Sequence, residues 1–192
     1  MDLKPTIVID DVIAPELQDA VENTLMNRPE WRFIKDMSYA NFDMPFPSYG
    51  FNMLFKHPDT GIVSELYEAI SVPIVNSMLE KTGIEIQELY FNRAFLQLPL
   101  EKRFIKEHNG LHIDVPQDHI ACVYYVNDSD GDTILYEQTK YNTIAGSKNV
   151  ELVEHKRVTP KKGRMVVFDG ARYHCSSQPR NGYRCIINFD LI

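Results

Sequence analysis

The feature that most constrains this chain is a change of hydrophobic period near residue 84. Before it, apolar residues fall at helical spacing. Pro15 stands at the first turn of a segment in which Leu17, Ala20, Val21, Leu25 and Met26 recur at intervals of three and four, and Arg28-Pro29 ends it. A second helix is predicted over 62–81, broken or kinked at Pro73 and capped by Gly83. Residues 6–9 form one short β-like run ahead of both. After residue 84, short runs of Val, Ile, Tyr and Phe alternate with turn dipeptides such as Asp130-Gly131, Lys162-Gly163 and Asn181-Gly182. Strands are predicted near 86–98, 104–114, 119–127, 133–137, 150–155, 164–168, 172–177 and 183–191. So many short strands, evenly spaced, suit an antiparallel sandwich or barrel such as a double-stranded β-helix or jelly roll. The expected class is α+β, β-dominated, with N-terminal supporting helices. One domain over 1–192 is expected, with 1–83 as helical support and lid region and 84–192 as the barrel core.

Composition excludes several alternatives. With 44% hydrophobic and 24% charged residues, the chain has neither the polarity of a disordered protein nor the bias of a fibrous one. No apolar run approaches the ~18 residues of a membrane span. The N-terminus lacks a basic region followed by an apolar stretch, so no signal peptide is expected. Cys122, Cys175 and Cys185 lie in apolar contexts without a CxxC pair, which suits buried thiols in a reducing, cytoplasmic setting. The net charge of −7 is unevenly spread: residues 156–184 hold eight Lys/Arg and a single acidic residue, leaving −14 on the rest. This pattern suggests a locally positive pocket for a small anion, or a solvated basic surface. It disfavours a broad nucleic-acid-binding face.

Three elements could carry chemistry. His112 and Asp114 flank Ile113, so on a strand they share one face and could bind one metal ion. Gly163 to His174 reads as strand, turn and strand ending on a histidine. If that strand lies beside the first element, His174 completes a facial triad of two His and one carboxylate, a set suited to Fe(II) with open positions. Arg184, ten residues on, matches a carboxylate bidentately. Residues 37–50, rich in aromatics and prolines, suit either a loop packed by its own rings or a lid over a pocket. His57, His108, His119 and His155 adjoin turn or polar residues and read as surface histidines.

In this order, His112-Ile-Asp114, the turn Gly131-Asp-Thr133, residues 158–168 (VTPKKGRMVVF), His174 and Arg184 resemble the Fe(II)/2-oxoglutarate-dependent oxygenases, in particular their prolyl-hydroxylase branch. The resemblance spans residues 97–189. It implies that His112, Asp114 and His174 ligate iron, and that Arg184 and Tyr125 bind the distal carboxylate of 2-oxoglutarate. Gln97 is the polar candidate for the metal-proximal carboxylate, and Asn188, on the face of Arg184, is a candidate for substrate. The turn departs from the family pattern, with Asp132 where a second glycine is usual. The implied reaction consumes dioxygen and 2-oxoglutarate, releases succinate, and hydroxylates a C–H bond, the branch favouring a prolyl residue or a free proline-like molecule. The implied partners are a small-molecule or peptide substrate, with no membrane. The rival from another class is a cupin-type barrel that binds a metal or small ligand without oxygenase activity. Arg184 separates the two, since mere binding needs no dicarboxylate anchor.

Overall fold

The computed structural model describes residues 3–28, 30–35, 49–101, 108–143 and 151–192. Within them, eleven strands build two facing sheets. The larger runs β1 (Ile7–Ile9), β9 (Met165–Asp169), β6 (Ile120–Tyr125), β11 (Arg184–Leu191), β5 (Leu89–Gln97), β3 (Gly50–His57) and β2 (Arg32–Ile34), with β4 (Gly61–Ile62) also paired to β3. The smaller runs β10 (Arg172–Ser176), β7 (Thr133–Thr139) and β8 (Glu154–Val158). All the pairings are antiparallel, the architecture of the jelly-roll barrel expected from the strand spacing.

Side-chain alternation sorts the larger sheet into two faces. On β11, Cys185, Ile187, Phe189 and Leu191 point outward. They pack with Val21 and Leu25 of α1 (Pro15–Met26) and with Ile74 and Met78 of α2 (Val72–Thr82). The intervening Ile186 points inward and packs with Phe95, Val123, Tyr125, Leu135, Val166 and Phe168, which fill the barrel. Arg184, Asn188 and Asp190 share that inward face. The helices therefore cover one side of the sheet and leave the other for the site.

Both helices form where the sequence places them, with one shortened. α1 begins on Pro15, whose missing N–H costs nothing in a first turn. α2 ends on Gly83 at φ 68°, a left-handed cap whose N–H donates to the Leu79 carbonyl. The helix predicted from residue 62 starts later: Ile62 pairs with β3, and a π-helical turn over Tyr67–Ser71 leads into α2 just before Pro73. A proline at that point lacks the N–H that would continue the preceding ladder, so the change of register there is local and cheap. The N-terminal part supplies strands as well as helices. Gly50–His57, for which no strand is predicted, is a full strand between β2 and β5. Most of the lid candidate, 37–48, lies outside the described residues. So does 104–107 of the strand predicted over 104–114. Of the remainder, His112 alone bridges, to His174. The strand predicted over 150–155 forms later, at 154–158.

Most of the basic stretch is consumed by pairing. Arg164 and Lys161 meet Asp10, Lys162 meets Asp19 and Glu22 of α1, Arg157 meets Glu154 and Asp132, and Arg172 meets Glu137. The charge asymmetry thus serves mainly to fasten the N-terminal segment to the barrel, and of the stretch only Arg184 is left to face a pocket without a carboxylate among the described residues. All three cysteines are buried and unpaired. Among the described residues, no helix is long and apolar enough to cross a membrane.

His119 corrects the surface reading: it is 5% exposed and packs on Gly170. A Cβ at 170 would lie 2.2 Å from its Nε2 and 2.4 Å from its Cδ2. The ring is enclosed and cannot swing away. Gly170→Ala is expected to destabilise the protein by ~1–3 kcal/mol, the usual cost of overpacking. Chemical denaturation that leaves the midpoint unchanged would contradict this.

Candidate metal centre and its pocket

His112 and His174 meet because their backbones pair. Each N–H donates to the other's carbonyl at 3.0 Å, the doubly bonded arrangement of an antiparallel pair, which sends both side chains to one face. The ring centroids lie 4.5 Å apart. The Nδ1 of His112 faces the Gly110 carbonyl at 3.0 Å, and that of His174 faces the Arg172 carbonyl at 3.2 Å. An Nδ1 that donates to a carbonyl leaves the Nε2 lone pair free, and both Nε2 atoms turn toward Asp114. His174 Nε2 is 3.2 Å from Asp114 Oδ2, and His112 Nε2 is 4.0 Å from Oδ1. One donor atom from each residue fits within 4.8 Å of the other two, close enough to share a metal ion.

The electrostatics favour the ligating forms. Burial, then the neighbouring His174, brings His112 down to about 4, so its imidazole is neutral at physiological pH. Asp114 is held well below the usual carboxylate range: burial opposes ionisation, but His174, Arg93 and His112 outweigh it. A neutral His112 imidazole and an ionised Asp114 carboxylate, with the second imidazole of His174 beside them, make a donor set suited to a divalent transition metal. Phe168 closes the far side, its ring 5.0 Å from that of His174.

A pocket runs from this cluster to Arg184. Phe95, Gln97, Val123, Thr133, Ile186 and Asn188 are among its walls. Arg184 is 3% exposed, and its guanidinium is braced by neutral acceptors alone. Nε donates to the Gly131 carbonyl at 2.7 Å, Nη1 to Gln97 Oε1 at 3.0 Å and Nη2 to Thr133 Oγ1 at 2.8 Å. Gly131 is needed here, because a Cβ would meet Arg184 Cδ at 2.9 Å and the Ser177 carbonyl at 3.0 Å. No carboxylate among the described residues pairs with Arg184. A buried cation without a counter-ion is costly, and two of its N–H bonds remain for an anion.

The other candidates fall around this axis. Gln97 lies opposite Arg184 across the β5–β11 pair; its oxygen accepts from Arg184 and its amide donates to Ser176 Oγ at 3.2 Å. Asn188 lines the same pocket, and its Oδ1 is buried without a partner. Tyr125 is fully buried and its ring lies 6.0 Å from the Arg184 guanidinium. Its hydroxyl, pushed up to about 12 mainly by burial, points to the Val158 carbonyl at 3.5 Å. The hydroxyl also lies in hydrogen-bonding reach of Thr133, the pocket residue that accepts from Arg184 Nη2.

Two features escaped the sequence reading. Arg93 Nη2 donates to Asp114 Oδ1 at 2.5 Å, fixing the carboxylate. Behind Asp114, His119 Nε2 lies 3.6 Å from Asp190 Oδ1, both side chains buried, and the Asp190 carboxyl is pushed far up by burial and by the charge of Asp114. Inward alternation on β5 and β11 could have flagged Arg93 and Asp190; no local pattern marks His119.

The sequence matches no family model and no curated protein. Solved structures share its fold. A 2OG-Fe(II) oxygenase family oxidoreductase from Burkholderia pseudomallei superposes with a TM-score of 0.66 at 10% identity, over 97% of this chain and 84% of the other. A prolyl-4-hydroxylase from Pseudomonas putida gives 0.58 at 14% identity, over 97% and 91%. A non-heme alpha-ketoglutarate-dependent epimerase from nogalamycin biosynthesis gives 0.66 at 9%, over 97% and 76%. At these identities the likeness is one of fold.

The depressed His112 sets a pH window for the metal-free protein. Unfolded, this histidine takes a proton below about 6.5; folded, it resists until about 4. Stability should therefore be full above pH 6.5 and fall by up to ~3 kcal/mol as pH drops toward 4. His119, also held down by burial, acts in the same direction. Urea denaturation of metal-free protein between pH 7 and 4 checks this, and His112→Asn should flatten the slope.

Proposed function

We propose that residues 1–192 act as one Fe(II)- and 2-oxoglutarate-dependent oxygenase domain that hydroxylates a C–H bond of a prolyl residue or a free proline-like small molecule. The observation behind this reading is Arg184: a buried guanidinium without a carboxylate partner among the described residues, at the end of a pocket that begins at a His-Asp-His cluster. A simple metal-binding barrel needs the cluster and not the cation, so the cupin-type alternative leaves Arg184 unexplained. The wider fold likeness includes a hydroxylase and an epimerase and supports the oxygenase class more strongly than any one substrate.

His112, Asp114 and His174 would hold the metal, which when bound supplies the activation of dioxygen. The rest falls to the protein. The carbonyls of Gly110 and Arg172 keep both imidazoles in the Nε2-ligating tautomer. Arg93 holds the Asp114 carboxylate in place. Arg184, braced by Gln97, Thr133 and Gly131, would take the distal carboxylate of 2-oxoglutarate together with the hydroxyl of Tyr125, which lies beside Thr133. Gln97 and Asn188 offer polar atoms along the pocket. Phe95, Val123 and Ile186 line it with apolar surface that excludes water from the reacting groups.

Two variants test the assignment. His174→Ala should abolish succinate formation while the fold survives; calorimetry showing unchanged iron affinity would remove His174 from the ligand set. Arg184→Ala loses a charge-assisted pair of about 2–4 kcal/mol, which corresponds to a roughly 30- to 700-fold rise in the apparent co-substrate constant. Arg184→Lys should lose less, keeping the charge without the fork. Succinate production measured against 2-oxoglutarate concentration reads both, and an unchanged constant in Arg184→Ala would place the anchor elsewhere.

A further inference from the structure

The metal cluster has a second cavity on its other side, of about 410 Å3, within the range of small-molecule sites. His112 and Phe95 belong to the walls of both cavities and stand between them. The second is lined by Asn52 and His57 of β3, by Phe91 and Arg93 of β5, and by Asp114. Asp114 is the one carboxylate among its described lining residues.

Arg93 sits at the junction. Its side chain is 10% exposed, and among the described residues its one hydrogen-bond partner is Asp114, whose Oδ1 accepts from Nη2. Its Nε is buried without a hydrogen-bond partner. The guanidinium carbon lies 4.2 Å from the Phe91 ring centroid and 5.3 Å from that of Phe95, so two aromatic faces hold the fork in place. The His57 ring packs edge-on against Phe91 at 5.4 Å, extending the apolar wall. A cation on the triad would draw on the charge of Asp114 and leave Arg93, among the described residues, with only the Asp190 carboxyl, its pKa raised by burial, to answer its charge beside a cavity walled by aromatic rings. A buried guanidinium with spare donors is matched best by a carboxylate.

We propose that this second cavity receives a small organic carboxylate, its acid group on the free edge of Arg93 and its apolar body against Phe91 and Phe95. The inference rests on the oxygenase reading and narrows it: the substrate is a free carboxylic acid, not a residue inside a peptide, whose carbonyl is neutral. Arg93 then has two tasks, positioning Asp114 and choosing the substrate by charge.

The test uses two pairs of probes, N-acetyl-L-proline against N-acetyl-L-prolinamide and benzoate against benzamide. They are titrated into the full chain with Mn(II) and 2-oxoglutarate, and binding near the metal is read from the relaxation of probe protons. At least one acid should bind about tenfold or more tightly than its amide. Arg93→Gln should bring that ratio to within about twofold, and Arg93→Lys, which keeps the ion pair with Asp114, should give an intermediate ratio. Equal binding of acids and amides by the parent, binding of neither, or a preference that survives in Arg93→Gln would each overturn the proposal. Calorimetry of Mn(II) and 2-oxoglutarate on the same samples keeps the two readings apart. If the parent binds no metal, the oxygenase reading fails, while the acid-to-amide ratio, measured by saturation transfer on the metal-free chain, still decides whether Arg93 is an anchor.

Discussion

The strand Arg184–Leu191 is buried along all eight residues and hydrogen-bonded on both edges, to β5 and to β6. A strand in that position cannot shift by one residue without turning every side chain to the wrong face. Its outward set is wholly apolar and locked against α1 and α2. Its inward set is Arg184, Ile186, Asn188 and Asp190, an unusual load of polar groups for a central strand. The apolar face fixes the register, and the register delivers the polar face to the site. The helices thus act on function at a distance: by gripping Cys185, Ile187 and Phe189 they decide where Arg184 points.

The same logic explains how the interior tolerates so many ionisable groups. Arg93, Asp114, His119, His174, Arg184 and Asp190 all lie inside the fold. Some pair with one another, as Arg93 does with Asp114. Others, such as Arg184 and Asn188, are left with hydrogen-bonding capacity that no described residue uses. Groups of that kind oppose folding when nothing is bound, and favour whatever ligand satisfies them. The surface pairs contribute little by comparison, since exposed ion pairs are worth at most about 1 kcal/mol. Lys162 with Asp19 and Glu22, and Arg164 with Asp10, serve mainly to fix the N-terminal segment in register with the barrel.

Much of this was legible in the residues. His112-x-Asp114, His174 and Arg184 stand out as short-range patterns; the backbone pairing of His112 with His174 joins the two histidines, while Asp114 reaches them from the irregular segment just after that bridge. The rest depended on long-range pairing. The strand Gly50–His57 was hidden by its aromatic, proline-rich approach, because only its partners β2 and β5 make it a strand. His119 sits beside polar residues in sequence and became a core residue through Gly170, fifty-one positions away. The basic run suggested a pocket because its partners Asp10, Asp19 and Glu22 come from the far end of the chain. Tyr125 fell on the expected face, its hydroxyl between the Val158 carbonyl and Thr133.

Register also shows how one small barrel could keep the two proposed ligands apart. Across the β5–β11 pair, Arg184 stands opposite Gln97, and Arg93 opposite Asn188. The two arginine positions are therefore offset by four residues along the strands, ~13 Å at the usual rise. Both point to the same face, and the His-Asp-His cluster is in reach of each: through the pocket walls for Arg184, directly through Asp114 for Arg93. Phe95 lies between them on β5, and its ring borders both cavities. A positive charge at either end and a metal cluster between would attract two anions from opposite sides and hold them apart by an aromatic wall. Arg184, braced only by neutral acceptors, keeps its charge for the first. Arg93 shares its charge with Asp114, and a cation at the cluster would draw that carboxylate toward itself. The second cavity would then gain positive character once the cluster is filled, which favours metal binding before the second anion by electrostatics alone.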